Sequence, residues 1–258
     1  MRAVLTLAFA VSLLLAAPAP ARATTWGPAQ VACPLCGHEN AFERPRSYGS
    51  YIYRWPSRFQ LVFWPATEGR SLYSCATCRL TCFMWDWPKR ITPEHHARLR
   101  EVLAEVTLPA AESYRKVPIL DRLAVAERVY EVVGLDAVTR CRFYRTVGYH
   151  AAKKGQPERA RAARQQALDL ARALADDPAQ AAEAKEHRVV VACLLRLLGD
   201  PDGARAALDA AAGSKIEGDD AERAQGRTEY LDELIAALRE KLDAGDLSDD
   251  APERDDDH

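Results

Sequence analysis

Three hydrophobic patterns follow one another along the chain. From Ala3 to Ala17 the residues are apolar apart from Thr6 and Ser12, with Arg2 in front and Pro18 and Pro20 behind. From Tyr51 to Trp85, bulky and β-branched residues gather in short runs: Tyr51 to Trp55, Arg58 to Trp64, Leu72 to Ser74 and Leu80 to Trp85. Pro56, Pro65 and Gly69 punctuate these runs, which predict short strands. Beyond Ile91 the apolar positions recur every three or four residues, the period of a half-buried helix. Leu99, Val102, Leu103 and Val106 form one stripe. A second, over about 118–133, carries Ile119, Leu120, Leu123, Ala126, Tyr130 and Val133 and stops at Gly134. Further helices are expected near 136–154, 157–175, 178–199, 201–212 and 220–242. Thr92, Asp177 and Asp200 each precede a proline, the order of a cap and a first-turn residue. The pattern predicts an α+β protein, a small antiparallel β module over 24–91 followed by an all-α region over 92–242.

The amino-terminal pattern predicts export. A short positive start, an apolar core of this length and the small-x-small Ala21-Arg22-Ala23 make a cleavable signal peptide over 1–23. Cleavage after Ala23 would leave 235 of the 258 residues. Because no other stretch is long enough to span a bilayer, the mature chain is expected in the periplasm or outside the cell, without stable membrane insertion. At the other end, Asp243 to Asp257 holds eight acids and one arginine around Pro252. The segment 243–258 therefore reads as a solvated, disordered acidic tail.

Composition sharpens this division. All five Trp and five of the seven Cys fall between Trp26 and Trp87. Cys33-Pro34-Leu35-Cys36-Gly37 and Cys75-Ala76-Thr77-Cys78 are two C-x-x-C pairs, and two such pairs can supply four thiolates to one tetrahedral zinc ion. Gly37 supplies the positive φ that closes such a turn. The expected arrangement is a zinc ribbon, two cysteine turns on a small sheet, with one structural zinc on Cys33, Cys36, Cys75 and Cys78. The 38 residues from Gly37 to Ser74 exceed the usual spacer, so the sheet is expected to carry an extra hairpin. Export leaves a competing chemistry open, because oxidising compartments favour disulfides. Each pair could close on itself as a thiol–disulfide redox centre, although neither has the helix-start setting of such motifs. His38 is expected to be a solvated loop residue, and Cys82, Cys141 and Cys193 buried thiols.

The totals of 35 Lys plus Arg and 37 Asp plus Glu argue against a polybasic nucleic-acid binder. Residues 24–91 are locally basic, eight Lys or Arg against four acids, and Tyr51-Ile52-Tyr53-Arg54-Trp55 interleaves rings with charge as base-stacking platforms do. A small β module needs large side chains merely to bury enough surface, which accounts for the rings without a nucleic-acid partner. His95 and His96 are adjacent on a helix and point about 100° apart, which does not suit one metal.

The helical region contains an internal match. Gly155-Gln156-Pro157-Glu158-Arg159-Ala160 aligns with Gly199-Asp200-Pro201-Asp202-Gly203-Ala204, and Ala167 and Ala211 follow seven residues later in each unit. A turn glycine with small residues at these offsets is tetratricopeptide-like, Gly148 falling at the small position of the preceding helix. Such repeats form grooves that take a protein or peptide partner. The order of C-P-x-C-G, long aromatic insert, C-x-x-C and helical repeat resembles a bacterial family of unknown function, in which a zinc ribbon precedes a tetratricopeptide-like region. The chain departs from that pattern in its export signal and in Arg79, which stands where a glycine is expected. The resemblance implies no enzymatic activity. No paired carboxylates, serine elbow, phosphate loop or H-E-x-x-H is present to suggest one. The sequence thus predicts an exported, non-enzymatic adaptor or scaffold, with a thiol–disulfide redox protein as the alternative.

Overall fold

The computed structural model describes residues 25–47, 56–214, 216 and 220–247. The segment expected to be a signal peptide, the Tyr51 to Trp55 run and most of the acidic tail lie outside the described residues. Two long hairpin strands open the chain, β1 (Thr25–Ala32) and β2 (Glu39–Ser47), paired antiparallel from Thr25↔Ser47 to Ala32↔Glu39. Next come the minimal pair β3 (Pro56–Ser57) and β4 (Val62–Phe63), then the pair β5 (Leu72–Ser74) and β6 (Thr81–Phe83). Seven helices follow among the described residues: α1 (His96–Ala104), α2 (Ile119–Val133), α3 (Ala137–Lys153), α4 (Pro157–Asp176), α5 (Ala184–Leu198), α6 (Pro201–Ala212) and α7 (Ala221–Asp243). The α+β order expected from the hydrophobic pattern is the one observed.

The strands differ in detail from that expectation. Among the described residues they make three two-stranded pairs, in place of the expected one sheet with an extra hairpin. The run Arg58 to Trp64 is not a strand: Arg58–Gln60 forms a 3₁₀ turn, Leu61 adopts a left-handed φ of 49°, and Val62–Phe63 alone pair with β3. Bulky residues here serve anchoring, not a ladder. The hairpin β1–β2 escapes the pattern because Gly27, Pro28 and Pro45 interrupt it and Gly27, Asn40 and Phe42 are its only buried positions.

Helix starts follow local chemistry closely. Asp136, Asp200 and Asp220 each accept the backbone N–H three residues on, at Thr139, Gly203 and Arg223, satisfying an otherwise orphaned donor. The turn α3–α4 and the turn α5–α6 are built alike. Gly155 and Gly199 have φ of 66° and 88°, and the next residue's N–H returns to Ala151 O and Leu195 O at 2.9 Å in each. The matched segments therefore form the same tight antiparallel connection twice. Two starts depart from the simple cap. Thr92 bonds His95 Nδ1 at 2.9 Å and caps no backbone group, and the expected 178–199 helix begins with a 3₁₀ stretch, Pro178–Glu183, bent at Gln180.

The boundary near residue 91 separates classes of secondary structure, yet the hydrophobic core runs across it. Phe42, Tyr73 and Trp87 from the β part pack in one cluster with Tyr114, Leu120, Leu123, Tyr130, Phe143 and Ala160 from the helical part. A second cluster unites Ala167, Leu168, Val190, Leu208, Leu231 and Leu238 of α4 to α7, and Leu61 of the insert belongs to it. Cys141 and Cys193 are buried in this second cluster, as expected.

Polar groups also cross the boundary. Arg122 of α2, 2% exposed, donates from Nη1 to Gly69 O (2.7 Å) and Leu72 O (2.6 Å) and from Nε to Val117 O (3.1 Å). Burial pulls its pKa down to about 10, which leaves it charged at neutral pH. Tyr130 of α2 donates to Asp86 Oδ2 (2.7 Å) and accepts from Phe83 N (3.0 Å). On α3, Arg145 Nη1 donates to Leu61 O (3.0 Å) and His150 Nε2 donates to Ala66 O (2.9 Å). A carbonyl can only accept, so His150 carries its proton on Nε2.

Burial lowers the pKa of His150 from 6.5 to about 4. The unfolded chain takes up this proton near pH 6.5 and the folded chain resists it until about pH 4. The stabilisation is complete above pH 6.5 and is lost as the pH falls toward 4, on the order of 3 kcal/mol for this group. Unfolding by urea across that window should show stability falling with acid. His150→Gln, whose amide can still donate to Ala66 O, should flatten the slope; an unchanged slope would show that other groups govern it.

Candidate metal centre

Two short turns carry the four cysteines. Residues 33–38 join β1 to β2 and residues 75–80 join β5 to β6. Their backbones close in the same way. In the first turn Cys33 N donates to His38 O (2.8 Å) and Gly37 N to Cys33 O (2.8 Å); in the second, Cys75 N donates to Leu80 O (2.9 Å) and Arg79 N to Cys75 O (3.1 Å). The fifth residue is left-handed in both, Gly37 at φ 75° and Arg79 at φ 63°. Thus Arg79, which lacks glycine's freedom, accepts the conformation that the turn demands. The weaker sequence signal of the second pair does not reflect a different turn.

The turns face each other and bring the sulfurs together. Cys33 Sγ lies 3.5 Å from Cys78 Sγ and Cys36 Sγ 3.7 Å from Cys75 Sγ. All four lie within 4.8 Å of one another, the one such group of possible ligands among the described residues. Thiolates about 2.3 Å from a shared tetrahedral ion stand about 3.8 Å apart, whereas a disulfide requires about 2.05 Å. The spacing suits a cation held at the centre of four sulfurs. Cys33 and Cys75 are buried, Cys78 is half-buried and Cys36 faces solvent.

Electrostatics point the same way. Cys75 is held far below the ordinary thiol range by hydrogen bonds from Cys33 and then Cys78, so it carries the cluster's negative charge. Cys33 is pushed up to about 12, first by its bond to Cys75, and Cys78 is pushed up by its bonds to Cys33 and Cys75 and by burial. Thiolates crowded this closely repel unless a cation neutralises them. Metal uptake at such a cluster must release protons and strengthen as the pH rises.

The supporting residues are absent from the sequence reading. Asn40, at the start of β2, is buried; its Nδ2 donates to His38 O (2.9 Å) and approaches Cys75 Sγ (3.7 Å), and its Oδ1 accepts from Ala76 N (3.0 Å). One amide thereby clamps both turns. Arg100 of α1 donates to Leu35 O (3.3 Å) and Trp87 Nε1 to Ala32 O (3.1 Å), holding the first turn against the helices. Phe42 and Tyr73 stack at 4.0 Å between the two hairpins, with Trp87 and Tyr114 edge-on. These rings are core, as a small β module requires. A short polar residue four positions beyond Cys36 was the available hint of Asn40, and it is too common to single out.

The other candidates lie elsewhere. His38 is exposed, with its carbonyl in the turn, and Cys82 is fully buried on β6 with its thiol pushed well up by burial. His95 is engaged with Thr92. Neither C-x-x-C pair starts a helix. No helix among the described residues is long and apolar enough to cross a membrane. No family model matches the chain, and neither a curated protein nor a solved structure matches it.

Strain at Arg79 has a measurable consequence. A non-glycine residue in the left-handed region costs roughly 1–2 kcal/mol, partly offset by glycine's greater freedom in the unfolded chain. Arg79→Gly should therefore raise stability by about 1 kcal/mol in denaturant unfolding without changing metal stoichiometry. A destabilised variant would mean that the arginine side chain contributes more than its backbone costs.

Proposed function

We propose that the protein is an exported, non-enzymatic scaffold stapled by one structural zinc ion on Cys33, Cys36, Cys75 and Cys78. The observation that carries this reading is the pair of like-bonded turns that places four sulfurs within 4.8 Å. Soft thiolates in a four-sulfur set favour zinc over magnesium or calcium. A four-protein-ligand set leaves no position for an activated water, which supports a structural role. The ion would neutralise the thiolates and join the β1–β2 hairpin to the β5–β6 hairpin, which also meet through Asn40, the Tyr73 hydroxyl on Glu43 O and the stack of Phe42 on Tyr73. The stacked helix pairs, with their repeated Gly-x-Pro turns, support a tetratricopeptide-like scaffold for a protein or peptide partner.

Metal content tests the first part. The purified protein should hold about one zinc per chain, and Cys75→Ser should abolish it. Loss of a structural ion costs several kcal/mol, so that variant or a strong chelator should lower Tm by roughly 10 °C, whereas a metal-free reductant should leave Tm unchanged. A metal-free oxidised protein, destabilised by reductant and indifferent to chelator, would overturn zinc in favour of disulfides. Activity in insulin reduction would favour the redox alternative.

The export reading stands on Arg2, the apolar Ala3–Ala17 stretch and Ala21-Arg22-Ala23. Amino-terminal sequencing of protein from the periplasm or medium should begin at Thr24. An intact Met1 on membrane-bound protein would overturn it.

A further inference from the structure

The segment 56–71, between the cysteine turns, lies along the helical pairs and not against the ribbon alone. Most of its contacts are with α3, α5 and α7, while Arg122 of α2 and Arg164 of α4 reach it at Gly69 O and Gln60. Leu61 O accepts from Arg145 of α3, and Ala66 O accepts from His150 of the same helix. The Phe59 ring lies under Arg196 of α5 (5.8 Å) and Lys241 of α7 (5.3 Å). Leu61 is buried in the cluster of α3 to α7, with Phe59 and Phe63 packed against it. From α4, Arg164 passes over Gly148 of α3, where an added Cβ would lie 3.0 Å from its Cγ, and reaches Gln60 Oε1 at 3.5 Å. In a stack of antiparallel pairs, α3, α5 and α7 share one face and α4 and α6 the other. The segment therefore occupies the face on which a repeat of this kind would receive a peptide.

Its manner of binding is that of a ligand. Its regular structure is local, the minimal β3–β4 pair and two 3₁₀ turns, and its amides at Leu61, Ala66, Glu68 and Ser71 bond to carbonyls three residues back. The helices grip its main-chain oxygens through long side chains, a recognition largely independent of sequence, and apolar anchors at alternate positions 59, 61 and 63 supply the rest. The helices pack on one another through their own residues, including Ala167, Ala171, Ala192, Cys193, Ala204 and Leu208.

We propose that residues 56–71 are a built-in occupant of the helical groove, a strap that an external peptide must displace. This rests on reading α3, α5 and α7 as a groove-forming face and is independent of whether the cysteines hold zinc. A tethered occupant acts at an effective concentration that can reach the millimolar range, so the intact protein should resist added peptide.

Hydrogen exchange on the full-length protein should find the strap amides opening as their own unit, at least tenfold faster than those of α3 and α5. Equal protection would make the segment constitutive core and overturn the proposal. In the full chain carrying Phe59→Ser, Leu61→Ser and Phe63→Ser, helical circular dichroism should persist. A labelled synthetic peptide of residues 56–71 should then bind it at least a hundredfold more tightly than it binds the unaltered protein. A folded variant that ignores the peptide, or one that loses its helices, would overturn the proposal. Zinc content, measured on the same samples, reports separately on the metal reading.

Discussion

A chain that runs through a protein interior without a strand partner must still satisfy its carbonyl groups, each costly to bury unpaired. That constraint governs the segment between the cysteine turns. Gly69 and Leu72 give their oxygens to Arg122, Leu61 to Arg145 and Ala66 to His150. The donors all come from helices that lie 50 or more residues later in sequence. The β part and the helical part are thus joined by hydrogen bonds to charged or neutral nitrogen donors as well as by a continuous apolar core. Buried arginines, a cost in isolation, become useful where a forked donor can serve two carbonyls at once.

The cysteine cluster meets the helical part at α1, through Arg100 on Leu35 O. Its turns are rigid because the backbone closes each of them in the same way, and because Asn40, Arg100 and Trp87 tie them to neighbouring chain. The Phe42–Tyr73 stack means that the two hairpins have a packed interface in addition to the sulfurs. The proposed ion therefore acts on an interface already complementary in shape, and its binding would displace the thiol protons and tie the four sulfurs to one centre. This differs from a minimal finger peptide, in which the metal supplies nearly all the order.

The two proposals, a stapled ribbon and a strapped groove, share one piece of covalent geometry. The insert lies in sequence between β2 and β5, strands of the two hairpins that the proposed ion would join. A scaffold built this way presents its groove already filled, and its exchange with partners is set by how readily the strap lifts.

What the sequence determined alone is local. Helix extents were legible because caps, first-turn prolines and turn glycines act within a few residues, as at Asp136, Asp200 and the paired turns at Gly155 and Gly199. The four cysteines were legible because two residues between ligands is a constraint on a single turn. Tertiary structure alone decided the rest. Arg58 to Trp64 reads as a strand, yet its bulky residues anchor on α3 to α7 and its carbonyls are served by side chains remote in sequence. Asn40 ties its own turn to Ala76, 36 residues further along the chain. Periodicity reports which face of an element is buried; it does not report what is buried against it, because that partner is chosen by the fold of the whole chain.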